Sequence, residues 1–223
     1  MVASSPSART ADVARGPLAT RLRAETRADH AALERDLDLL AVPFDPETYR
    51  RRLGQFLGYY RPAEAALLDP NGPAAALPDL AERRKVPWLR TDLRALGDPD
   101  PDALPLCRAL PDLSTPARAF GGLYVMEGAT LGGRLIARHL AEVGVEPESG
   151  GRFFSAYGAR GPAMWGRFLQ ALENGPASAD PDATVAAAGE TFRALRRWFA
   201  SGDEPVAATP PALPDSSATR RPR

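Results

Sequence analysis

Apolar residues recur at intervals of three and four from about Leu18 to Ala200, and alternating β-branched runs bounded by turn residues are nearly absent. A period near 3.6 lines one face of a helix, whereas a strand face needs a period of two. The chain is therefore expected to be all-α, a single-domain compact helical bundle with its pocket between facing helices. Leu22, Leu33, Leu37 and Leu40 fall on one stripe of a first helix over residues 18–41, which Pro43 ends. Asp45 and Pro46 supply an N-cap and a first helical residue for a second helix carrying Leu53, Phe56, Leu57 and Tyr60, with Pro62 expected to bend or end it. After a Pro and Gly linker over 69–78, helical segments are expected over 80–96 and 101–110, separated by the breaker at 97–100. Thr115 and Pro116 open a long helix to Leu140, and two more follow over 162–173 and 182–200. Residues 1–17 and 202–223 are expected to be disordered flanks of a helical domain over 18–201.

A chain of 223 residues with 44% hydrophobic composition is long enough to bury one sizeable core. Its 28 Lys and Arg equal its 28 Asp and Glu, so no basic field exists to hold a phosphate backbone, and nucleic acid is not an expected partner. The single cysteine, Cys107, precludes an intramolecular disulfide and any Cys-rich metal cluster, and reads as a small buried hydrophobe in a reducing compartment. No apolar run approaches the roughly 20 residues that span a bilayer, and the N-terminus MVASSPSARTADVARG lacks an apolar h-region. A cytoplasmic protein with no membrane contact is expected, and a monomer, because no exposed apolar stripe stands out.

With only two histidines, imidazole chemistry is confined to His30 and His139. His30 lies four residues after Thr26 and three before Leu33, a spacing that points it at the apolar interior. Glu34, one turn on, can accept a hydrogen bond from one ring nitrogen, which fixes the tautomer and leaves the other nitrogen as a lone-pair ligand. The same placement suits a satisfied core histidine, and spacing alone does not choose. His139 lies near a helix C-terminus beside Arg138, where it is expected to face solvent.

The segment GGLYVMEGATLGG, residues 121–133, holds five glycines inside an amphipathic helical pattern. Each should cost about 0.5–1 kcal/mol relative to alanine. Gly121, Gly128 and Gly132 fall on one stripe, so bare backbone faces whatever lies opposite, either a flat or bulky ligand or a closely packed helix. There is no GxGxxG after a strand, no Walker loop, no GxSxG elbow and no HExxH, and neither histidine has a glutamate three residues before it for a di-iron site.

LRAETRADHAALE (residues 22–34) resembles the proximal-helix motif of heme oxygenases, and LYVMEGATLGG (residues 123–133) resembles their distal-helix motif, particularly that of bacterial members. The order and separation of the motifs also match, and RFFSAYG followed by a tryptophan-containing helix (residues 152–173) is a looser similarity. The resemblance implies a heme oxygenase-like bundle with heme b between a proximal and a distal helix. It implies oxidative cleavage of heme to biliverdin, CO and ferrous iron, using O2 and electrons from an external ferredoxin or reductase. It makes His30 the iron ligand and Glu34 the group that orients it. Gly128 and Gly132 would lie against the distal heme face as the catalytic segment, with Gly133 completing it. Arg23 and Arg27 would neighbour the propionates, Arg167 is a further candidate for them, and Tyr124 and Phe154 are candidate walls. Animal-type members carry an aspartate after the first distal glycine, where this chain has Ala129; Thr130, Glu127 or an arginine from another helix is left to organise the distal water.

Overall fold

The computed structural model describes residues 16–40 and 43–201. The expected C-terminal tail and most of the expected N-terminal one lie outside the described residues, but Pro17 opens the first helix instead of belonging to a disordered flank. Every regular element among the described residues is helical: α1 (Pro17–Glu25), α2 (Arg27–Leu37), α3 (Pro46–Leu67), α4 (Val86–Ala95), α5 (Pro116–Glu142), α6 (Arg152–Ser155), α7 (Gly161–Asn174) and α8 (Pro181–Ala200), with short 3-10 turns between them. No described helix is long and apolar enough to cross a membrane.

The first expected helix is two. Thr26 Oγ1 donates to the Leu22 carbonyl at 2.7 Å, and the Thr26 backbone stands at φ −96°, ψ 2°. Such back-bonding competes with the helical ladder and bends it. α2 then stops at Leu37 rather than reaching Ala41, because Asp38 takes the left-handed conformation at φ 44°, which a short polar side chain tolerates.

Asp45 caps α3 as expected, accepting from the backbone N–H groups of Glu47 and Thr48 at 3.2 Å. Pro62 does not end this helix, which continues to Leu67. Proline deprives the Gly58 carbonyl of its helical donor; the backbone N–H of Cys107 donates there instead, at 2.9 Å. Gly58 permits the approach, since a Cβ at that position would strike the Pro105 carbonyl. The segment that reaches in is the one expected to be helical over 101–110, of which only Pro101–Ala103 forms a 3-10 turn. Pro105 holds Leu104 extended, at ψ 147°, and regular structure does not resume until α5.

α8 is the common support of the fold. α1, α2, α3 and α5 all pack on it, α5 and α2 most extensively. α6 fills the core beside α3, with Phe153 and Phe154 around Phe56 and Phe154 beside Tyr49. The buried Asp92 carboxylate of α4 caps α6 from outside, accepting from the backbone N–H groups of Arg152 and Phe153 at 2.9 and 2.7 Å.

Candidate functional site

His30 does not point at the interior as its spacing predicts. The bend at Thr26 leaves it at the margin of the buried stripe, with its side chain 55% exposed and its ring edge-on to Phe192 of α8 at 5.5 Å. Nδ1 faces the Glu34 carboxylate at 3.4 Å, while Nε2 has no partner among the described residues. Arg23, Arg27, His30 and Glu34 share one exposed face of α1 and α2. Arg23 and Arg27 are exposed and make no side-chain hydrogen bond or ion pair among the described residues.

α1 itself is held by another helix. Glu173 at the end of α7 accepts from the backbone N–H groups of Leu18 and Ala19, at 3.3 and 2.8 Å, and so supplies the N-terminal cap that Gly16 lacks. The element leading to His30 is thereby tied to a helix more than 150 residues away in sequence.

The five glycines of α5 stand in two kinds of surroundings. A Cβ on Gly121 would strike the Thr184 carbonyl of α8, one on Gly122 would meet Leu113 at 2.8 Å, and one on Gly133 would lie 2.8 Å from the Phe154 carbonyl. These three let neighbouring backbone or side chains approach closely. Gly128 and Gly132 have nothing within 4 Å of where a Cβ would stand. They present bare backbone on the face that continues to Leu135, a leucine 58% exposed. Tyr124, one turn before Gly128, is half-buried with its ring 5.8 Å from Trp165. Phe154 lies behind the glycine segment, its carbonyl against Gly133.

The residues expected to organise distal water are engaged elsewhere. Thr130 Oγ1 donates to the Glu127 carbonyl at 2.7 Å. The Glu127 carboxylate turns into the core, where it accepts from Arg83 at 2.5 Å, from the Lys85 ammonium, and from the Tyr157 hydroxyl at 3.1 Å. Arg167 joins this group rather than the His30 face: its Nε donates to Asp79 at 2.8 Å, and Asp79 also accepts from Arg83. Burial opposes the charge on Arg83, but Glu127 and Asp79 outweigh it and raise its pKa. Burial and then the adjacent Glu127 charge push the Tyr157 hydroxyl well above its ordinary range. The sequence offered little warning of this cluster. Glu82-Arg83-Arg84-Lys85 reads as a solvated charge run, yet Arg83 and Lys85 are buried while Glu82 and Arg84 are exposed. The usable signal was Glu127 itself, a lone charge closing the apolar stretch 119–126.

His139, expected to face solvent, is also a correction. Its side chain is only 16% exposed, Phe44 stands edge-on at 6.4 Å, and its Nε2 is enclosed without a partner among the described residues. Phe44, just before α3, packs against this end of α5, which helical spacing cannot show.

These features define an all-α protein in which an exposed, oriented imidazole and a bare glycine segment come from different helices carried by a shared third. The heme oxygenase family model matches residues 16–201, and the chain belongs to that family. A heme oxygenase of Xanthomonas campestris pv. campestris (strain 8004) is 43% identical over 91 residues, which is 41% of this chain and 52% of that relative. The chain thus matches about half the length of that curated relative. Two solved structures share the fold: Leptospira interrogans heme oxygenase, with TM-score 0.68 and 21% identity over 83% of this chain and 100% of that one, and the NO- and CO-bound heme oxygenase from Neisseria meningitidis, with TM-score 0.61 and 22% identity over 82% and 92%.

Proposed function

We propose that the chain binds heme b through His30 and cleaves it to biliverdin, CO and ferrous iron, with O2 as oxidant and electrons from an external ferredoxin or reductase. The observation that carries the reading is the placement of His30: Nδ1 lies 3.4 Å from the Glu34 carboxylate, and Nε2 has no partner among the described residues on an exposed face. An imidazole placed in this way would hold the heme iron through Nε2, with Glu34 near enough to orient the ring, and would lack the electron push that a thiolate supplies. Arg23 and Arg27, without an ion-pair partner among the described residues, supply positive charge for the propionates; Arg167, already engaged by Asp79, is less available for it. Gly128 and Gly132 offer backbone without side chains, so a small iron ligand can lie close to α5 and be hydrogen-bonded by main-chain groups or held water. Gly133 seats that stretch on Phe154, and Tyr124 forms part of its wall. Heme iron, when bound, would supply the O2 chemistry, while these residues would leave room for its ligand against α5. We place the activity in a monomer in the cytoplasm.

The test is an absorption titration with hemin, followed by addition of a reductant in air. Saturation near one equivalent, then decay of the Soret band into a red bilin band, is the expected result. A stable Soret band after reduction would make the protein a carrier or sensor of heme, and no saturable shift would overturn the reading.

A further inference from the structure

α5 changes character at one residue. From Ala119 to Glu127 it is buried apart from the half-buried Tyr124; from Gly128 to Gly132 it is partly or fully exposed, and neither glycine has a side chain to grip a neighbour. The stretch is bounded on one side by Gly133, seated on the Phe154 backbone, and on the other by the Glu127 carboxylate. That carboxylate meets two fully buried cations and a tyrosine hydroxyl. Its partners are themselves anchored: Arg83 to Asp79 and to the Met164 carbonyl of α7, and the backbone N–H of Lys85 to buried Glu64 of α3. Buried ion pairs contribute little net stability relative to apolar packing of the same volume, because desolvation offsets most of the attraction. They do impose one geometry, since the alternative leaves a buried charge unpaired.

We propose that Glu127 is a positioning residue, a pin through which Arg83, Lys85 and Tyr157 set the place and limit the motion of the glycine-bounded span 128–132. The consequence for catalysis rests on the heme oxygenase reading; the pin itself does not. Gly128 and Gly132 add no side-chain contact to that span, and the Thr130 hydroxyl bonds back to the Glu127 carbonyl, so the span leans on its two ends, of which Glu127 is the one fixed by charge.

The experiment compares wild type with Glu127→Gln and Tyr157→Phe, first by amide hydrogen exchange without ligand and then by hemin titration and turnover. In Glu127→Gln the amides of 128–132 should exchange about tenfold faster or more while those of 119–126 keep their protection. Hemin affinity should stay within about threefold and turnover should fall at least about tenfold, the pattern of a lost orienting interaction rather than lost binding. Tyr157→Phe, which removes one hydroxyl, should show the same localised exchange change at smaller amplitude, and it decides the matter if Glu127→Gln does not fold. Unchanged exchange at 128–132, or a uniform rise along all of α5, would overturn the pin. Absence of hemin binding by wild type would overturn the function reading while the exchange result still decides this one.

Discussion

The two histidines divide at the level of single side chains. His30 is exposed with Nδ1 3.4 Å from the Glu34 carboxylate and no Nε2 partner among the described residues, whereas His139 is enclosed against Phe44. His30→Ala is expected to lose the imidazole-ligated hemin spectrum and most turnover, and His139→Ala to retain both; the opposite pattern in an absorption titration would reassign the ligand. The glycines give a second residue-scale prediction. Gly128→Leu meets open space and replaces a poor helix former, so its thermal midpoint should hold or rise, while product formation should be blocked. Gly133→Ala puts a methyl 2.8 Å from the Phe154 carbonyl and should destabilise by about 1–3 kcal/mol in urea unfolding. The motif was legible in the sequence, but the division of its glycines was not. Helical spacing gives the angle of a residue and says nothing of what stands opposite it.

At the scale of elements, the fold depends on bonds that one helix lends another. Glu173 caps α1 from α7, so Glu173→Ala should cost about 1 kcal/mol, as loss of an N-cap does, and should weaken hemin binding because α1 leads directly into His30. Asp92 caps α6 from α4, and burial raises its pKa to about 6 against the hydrogen bonds from Phe153 and Arg152. The folded protein therefore holds this proton to about pH 6, whereas the unfolded chain releases it near 3.8. Between those values the folded state binds more protons, so the Asp92 contribution favours folding most at low pH and declines as pH rises. The stability of wild type relative to Asp92→Asn should accordingly fall by about 2 kcal/mol from pH 4 to 7 in urea titrations; a flat difference would mean an ordinary carboxyl. Capping signals at Asp45 and Thr115 could be read from sequence because both partners lie within one turn. Pro62 could not be read in the same way. Its effect on α3 was decided by Cys107, whose N–H answers the orphaned Gly58 carbonyl.

In the whole molecule, α8 carries both the His30 helix and the glycine helix. Its exposed links to α2, Arg193 to Asp29 at 2.9 Å and Arg196 to Asp36 at 2.7 Å, bridge surface charges. Replacing both arginines by alanine should lower stability by no more than about 1 kcal/mol and leave hemin affinity intact, because exposed pairs are screened and entropically expensive. The support lies instead in apolar contact, such as Phe192 under His30 and Ala187 and Ala188 under Gly121. The sequence by itself determined the all-helical class, most helix starts and the two motifs, because periodicity, caps and glycine placement act through neighbours a few residues away. Tertiary structure alone decided that His30 stands exposed, that His139 is covered, and that Arg83, Lys85 and Glu127 meet in the core. Those outcomes depend on contacts between helices distant along the chain, where burial and charge pairing, not local spacing, set the side chain's surroundings.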